Sequence, residues 1–176
     1  PQTSSGARTV PAKEVFLKAF YALDEPRFHC VDIPGHRSRV NVARALVVHT
    51  CKEGIWHRDE IFNQSAISKG QLKMSEYGLC VSAGSSSDGA KLILRECDNS
   101  TLQSWIFTNY RLKLKRYPDK CLTIGPEPSK LTPGGRRLAS RNMSRSLMLS
   151  TCSEEAFRRQ LWRMEPPLER SSPILP

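Results

Sequence analysis

The sequence predicts an all-β domain in which three copies of a four-strand unit close around a pseudo-threefold axis. Six cysteines, Cys30, Cys51, Cys80, Cys97, Cys121 and Cys152, fall into three consecutive pairs. Apolar residues alternate in the same way around each pair, and after each pair comes an aromatic residue with Gln or Glu two places before it. Alternation of this kind marks half-buried strands, and its recurrence at a long period marks a repeat architecture.

The first unit opens with PAKEVFLKAF, a stretch that reads equally as a short helix or as the opening strand, and its first strand is expected to end near Leu23. Val31 and Ile33 follow Cys30 at plus one and plus three, Leu46 and Val48 precede Cys51 at minus five and minus three, and Glu60 with Phe62 completes the unit. In the second unit a strand ends near Met74, Val81 and Ala83 follow Cys80, Leu92 and Leu94 precede Cys97, and Gln103 with Trp105 closes. In the third a strand ends near Leu114, Leu122 and Ile124 follow Cys121, Leu147 and Leu149 precede Cys152, and Gln160 with Trp162 closes. Turn residues separate the strands, among them Pro34-Gly35, Gly84 to Ser87 and Pro133-Gly134-Gly135.

Successive first cysteines lie 50 and 41 residues apart, and the extra length of the third unit is held in the loop PEPSKLTPGGRR. A single unit is too small to bury its own apolar face, so the three are expected to share one core and to close, which removes exposed sheet edges. Phe62, Trp105 and Trp162 are the natural central plugs. Six cysteines allow fifteen pairings. The repeat selects one bridge within each unit: Cys30 to Cys51, Cys80 to Cys97 and Cys121 to Cys152. In the chain-entropy picture each contributes about 3 to 4 kcal/mol.

The pattern Cys-(Leu/Val)-(Asp), then apolar-x-apolar-x-x-Cys, then Gln-x-Trp, three times over, resembles the ricin B-chain type β-trefoil lectins. That group includes the lectin domains of polypeptide N-acetylgalactosaminyltransferases and the cysteine-rich domains of mannose-receptor-like proteins. The resemblance covers about Phe16 to Met164 and implies a β-trefoil with repeats at about 16–66, 67–109 and 110–164. Residues 1–15 read as a linker, and 165–176 as a Pro/Ser-rich tail. The resemblance also implies carbohydrate binding, common in the family although the fold alone does not dictate it.

In this family a pocket uses an Asp just after the first cysteine, a stacking side chain two residues before the second, and an Asn or Asp before the Gln of Gln-x-Trp. A carboxylate accepts from vicinal sugar hydroxyls, and a flat ring covers the C–H face of a pyranose. Carried over, the first repeat supplies Asp32, His49 and Asp59 beside Glu60. It departs from the pattern in its imidazole, in Val47 and in Glu60-Ile61-Phe62. The second repeat has Ser82, Arg95 and Leu102 at these places, and the third has Thr123, Ser150 and Arg159, so at most one conventional pocket is expected.

The net charge of +10 implies attraction to polyanions. In RLKLKRY the alternation puts Arg111, Lys113 and Lys115 on one strand face, a candidate patch for sulfate or phosphate groups, with Arg136, Arg137, Arg141 and Arg145 able to add to it. Disulfides and three sequons, at Asn63, Asn99 and Asn142, favour a secreted or lumenal protein. Sulfated or neutral glycans, glycoproteins or a protein partner are therefore expected, and nucleic acid is not. No run approaches the ~20 apolar residues of a membrane span. The cysteines form no CxxC pair, and neither a metal nor a cofactor is expected. No nucleophile elbow, HExxH helix or phosphate-cradling glycine motif occurs, and Asp59 and Glu60, taken as strand neighbours on opposite faces, could not flank one glycosidic bond. The chain reads as a non-enzyme, at most an accessory domain of one.

Overall fold

A computed structural model describes residues 13–35, 40–54 and 57–168. The expected linker (residues 1–12 of it) and the end of the tail (169–176) lie outside the described residues. The first repeat holds β1 (Glu14–Ala19), β2 (His29–Asp32), β3 (Val47–Thr50) and β4 (Ile61–Asn63). A one-turn helix α1 (Gln64–Ser68) leads to β5 (Lys73–Met74), β6 (Leu79–Ala83), β7 (Leu92–Glu96) and β8 (Trp105–Thr108). The third repeat comprises β9 (Arg111–Leu114), β10 (Tyr117–Ile124), β12 (Met143–Thr151) and β13 (Trp162–Glu165), with β11 (Lys130–Leu131) and α2 (Pro133–Arg137) in its long loop.

The cysteine-bearing hairpins β2–β3, β6–β7 and β10–β12 are equivalent antiparallel pairs, and their bridges join Cys30 to Cys51, Cys80 to Cys97 and Cys121 to Cys152. Each repeat's last strand pairs with the next repeat's first: β4 with β5, β8 with β9, and β13 with β1. The last of these closes the barrel, from Phe16 opposite Glu165 to Ala19 opposite Trp162. This is the closed, all-β, pseudo-threefold arrangement that the repeat predicted and the β-trefoil that the family resemblance implied.

Within PAKEVFLKAF, Glu14–Ala19 forms a strand. β1 is covered on both faces, because Val15, Leu17 and Ala19 enter the main core while Phe16 packs with Cys30, Cys51 and Ile61 in a smaller cluster. It ends at Ala19, not near Leu23. The chain turns there, with Leu23 and Phe28 at φ of 54° and 68°, outside the strand region.

Phe62, Trp105 and Trp162 all sit in the one shared core, 0%, 2% and 0% exposed. The two indoles are held alike: Trp105 Nε1 donates to Val81 O at 3.1 Å and Trp162 Nε1 to Leu122 O at 2.9 Å. Each acceptor is the residue after a first cysteine. Phe62 fills the third place without a donor.

Pro133-Gly134-Gly135 forms the start of α2 where a turn was expected. Thr132 Oγ1 accepts from Gly135 N at 2.8 Å, and Pro133 sits at the first helical position, which needs no N–H. A Cβ on Gly135 would lie 2.4 Å from Asn142 O, so the loop packs against Asn142, just before β12, only with glycine there.

Candidate functional site

In the β2–β3 register Cys30 stands opposite His49, and Asp32 lies two residues beyond Cys30, so Asp32 and His49 project from the same face. The segment His57–Glu60 coils into a 3₁₀ turn, pinned under β2 by Ile33 N donating to Asp59 O at 3.2 Å. Asp59 and Glu60 are thus not strand neighbours on opposite faces. The turn aims both at one lysine.

Four expected residues therefore meet. His49 Nδ1 lies 4.0 Å from Asp32 Oδ2 and 3.6 Å from Glu60 Oε2, and it donates to Thr50 O at 2.7 Å. Lys52, which the sequence did not single out, completes the group. Its Nζ is 3.9 Å from Asp32 Oδ2 and 3.7 Å from Asp59 Oδ2, and its backbone N donates to Glu60 Oε1 at 2.6 Å. Tyr77, also unanticipated, donates its hydroxyl to Asp59. A signal for Lys52 was available: three carboxyls converging on one unit demand a buried cation, and the lysine directly follows Cys51. Nothing in the sequence pointed to Tyr77.

The group is enclosed. Asp32 is 1% exposed, Glu60 0%, and His49 and Asp59 8% each. Asp32 Oδ1 and Glu60 Oε2 have no hydrogen-bond partner among the described residues. Burial, reinforced by the neighbouring Glu60, holds the Asp32 carboxyl well above the usual carboxylate range, and burial likewise pushes up Glu60. Burial lowers His49, which therefore sits as the neutral ring. Lys52 goes the other way: burial opposes its charge, but Asp32, Glu60 and Asp59 outweigh that and raise it. Donor atoms of Asp32, His49 and Glu60 come within 4.8 Å of one another, and the Lys52 ammonium already supplies the positive charge beside them.

The equivalent places elsewhere are filled differently. In the second repeat Ser82 is buried and donates to Ala83 O, while Arg95 is exposed. In the third, Thr123 Oγ1 accepts from Gln160 Nε2 at 3.0 Å, and Arg159 Nη1 donates to Ile124 O at 2.6 Å. Neither place offers a carboxylate or a ring.

Of the expected cationic patch, Arg111 and Lys113 line a shallow hollow of about 290 Å³ with Cys152, Ser153 and Glu154. Lys115 stands one residue past the end of β9, its backbone N donating to Ser104 O at 2.8 Å in register with the β8 pairing, and it does not line this hollow. Arg145 does not join them: it is buried, donating to Gly125 O at 2.8 Å and pairing with Asp24 at 3.2 Å. Among the sequon asparagines Asn99 is exposed, Asn63 caps α1 by accepting from Ala66 N, and Asn142 accepts from Arg27. A wider cleft of about 560 Å³, not foreseen, is lined by Lys18, Arg27, Phe28 and Glu165, with Lys18 and Arg163 each 5.0 Å from the Phe28 ring. No helix among the described residues is long and apolar enough to cross a membrane.

Comparison with known proteins bears on this geometry. A search of curated proteins returns no match. Among solved structures, the earthworm R-type lectin C-half in complex with GalNAc is 13% identical with a TM-score of 0.60, covering 88% of this chain and 98% of that one. An earthworm lectin C-terminal domain mutant in complex with 6'-sialyllactose is 12% identical, TM-score 0.60, over 88% and 98%. The designed threefold-symmetric protein ThreeFoil is 16% identical, TM-score 0.62, over 86% and 97%. At these identities the likeness concerns the fold. The sequence itself matches the family model described as the ricin-type beta-trefoil lectin domain over residues 22–134, more than half of the chain. The chain belongs to the ricin-type β-trefoil lectin domain family.

Proposed function

We propose that the chain is a carbohydrate-binding module whose one conventional pocket lies in the first repeat, at Asp32, His49 and Asp59. The observation that carries this reading is their convergence on one face around Lys52, at places where the other two repeats have Ser82, Arg95 and Leu102 or Thr123, Ser150 and Arg159. Asp32 and Asp59 accept from vicinal hydroxyls, and the imidazole covers the C–H face of the ring. Lys52 stands across the carboxyls with its side chain 12% exposed, so a sugar enters by displacing the ammonium, which lowers affinity. Its three disulfides fit a secreted or lumenal location. The family is generally non-enzymatic, in keeping with a binding role.

A glycan array on the wild type and Asp32→Ala tests the pocket. Galactosides such as GalNAc and sialyllactose, the ligands of the earthworm structures, are the first probes. Loss of binding in the variant supports the pocket. Binding to neutral galactosides that survives the substitution removes it.

A second reading is favoured by the hollow beside Arg111 and Lys113 together with the charge of +10: attachment to sulfated glycans. Heparin retention is then expected to fall with Lys113→Glu and steeply with salt. The enclosure of Asp32 supports a third, a trefoil that binds protein and no sugar, whose mark is silence on the array together with a tight protein partner.

A further inference from the structure

The threefold symmetry allows one position to be compared with itself. In the second repeat Gln103 Oε1 accepts from Asp98 N at 3.0 Å, and its Nε2 donates to Glu96 O at 2.9 Å. In the third Gln160 Oε1 accepts from Ser153 N at 3.1 Å, and its Nε2 donates to Thr151 O at 3.0 Å. Each amide therefore ties the N–H after the second cysteine to the carbonyl before it. The side chain has to accept on one side and donate on the other.

Glu60 occupies this position in the first repeat. Its Oε1 accepts from Lys52 N, the N–H after Cys51, just as the two glutamines do. Its Oε2 takes the place of their donating nitrogen, 3.6 Å from His49 Nδ1, which itself donates to Thr50 O, and it is fully buried without a hydrogen-bond partner among the described residues. An ionised carboxylate cannot donate, and it would leave Oε2 and the Thr50 carbonyl as two acceptors beside the one Nδ1–H of His49. A neutral acid can donate.

We propose that Glu60 is held as the neutral acid in the folded protein, its carboxyl proton standing in for the glutamine amide, and that it is a proton-dependent positioning residue for the first repeat. The groups around it are Asp32 on β2, His49 on β3, Lys52 and Glu53 in the segment after β3, and Asp59 in the 3₁₀ turn, which in turn holds Tyr77. Of these, Lys52 and a protonated His49 favour an ionised Glu60, whereas Asp32, Glu53, Asp59 and enclosure favour the acid. Burial holds its pKa well above the ordinary 4.5, in accord with the geometry. A folded state that keeps a proton the unfolded chain gives up is favoured fully below that ordinary value and loses this advantage as pH rises through the folded one. The first repeat thus tightens in acid and slackens toward neutral and alkaline pH, independently of whether the pocket beside it takes a sugar.

Glu60→Gln, which restores the residue of the other repeats, tests this. Denaturation profiles of the full chain from about pH 4.5 to about pH 8 are compared for wild type and variant. The expected result is near coincidence at the acid end and a melting temperature for the variant that pulls progressively above the wild type as pH rises. The Glu60 carboxyl ¹³C resonance in the wild type should stay in the protonated range at neutral pH. A variant less stable than wild type at neutral pH, a difference independent of pH, or an ionised resonance there overturns the proposal, because each describes a carboxylate paired with Lys52. Glycan binding does not enter the readout, so failure of the pocket and failure of this assignment are told apart.

Discussion

The first and third repeats carry out the same folding task with opposite chemistry. In the third, Trp162, Gln160 and Thr123 join through neutral hydrogen bonds, from indole to Leu122 O and from amide to Thr123 and Thr151. In the first, the matching places hold Phe62, Glu60 and Asp32, and Lys52 reaches both of the last two, its ammonium 3.9 Å from Asp32 and its backbone N donating to Glu60. The comparison separates what a trefoil needs from what a site adds. Both repeats bury their plug and bridge their cysteines. Only one gathers titratable groups at its centre, and such groups add little stability while making it depend on pH.

The harshest way to break the comparison is to remove the plugs. Trp162→Ala is expected to cost about 3 to 5 kcal/mol in urea denaturation, with Phe62→Ala in the same range. Trp162 carries the additional loss of a donor to a buried carbonyl, so Trp162→Phe, which makes the third repeat resemble the first there, should itself cost about 1 to 3 kcal/mol.

Converting the third repeat's polar center sharpens the contrast. Gln160→Glu puts a carboxyl where no Lys52 stands, since Ser153 follows the second cysteine. A penalty of about 1 to 3 kcal/mol is expected near neutral pH, shrinking in acid as the carboxyl regains a proton to donate. A penalty that does not change with pH would show that the donor is not what the position requires.

A gentler test uses the two buried histidines. His29 and His49 are both lowered from an ordinary 6.5, in each case chiefly by burial. Below about pH 6.5 the unfolded chain takes up protons that the folded rings refuse, so stability falls as pH falls, by at most about 1.4 kcal/mol per pH unit for each ring. His49→Gln should flatten this limb, measured by thermal melts between about pH 4.5 and about pH 7. The opposite slope expected from Glu60 and Asp32 partly masks it in the wild type, which is why the variant is informative.

The smallest effect is expected away from both repeats' centres. Lys113→Glu on β9 should leave stability within about 0.5 kcal/mol while lowering heparin retention.

Which parts of this were legible in advance follows from their physics. Strand alternation and cysteine spacing are local and periodic, so the three bridges, the alternating core pairs and the plugs Phe62, Trp105 and Trp162 could be read directly. Loop geometry obeys no such period. The end of β1 at Ala19, the helix α2 within the long loop and the 3₁₀ turn at His57–Glu60 arise from left-handed residues, an N-cap and tertiary covering. The residues of the candidate pocket could be named through the family resemblance, which carries Asp32 and His49 over at fixed offsets from Cys30 and Cys51 and Asp59 over as the residue before Glu60. Their enclosure could not, because it depends on where the long side chain of Lys52 comes to rest. The same limit applies to Arg145, whose charge looked available and which instead pairs with Asp24 from the other end of the chain.

The pairing of β1 with β13 has a mechanical side. Phe16 stands opposite Glu165, so the chain enters and leaves the barrel side by side. Tension between these two points pulls across the strands, along the direction of their hydrogen bonds, and opens the ladder one rung at a time. A flow or a tether acting there would meet a seam that parts like a zip, with the three sulfur bridges all lying beyond it.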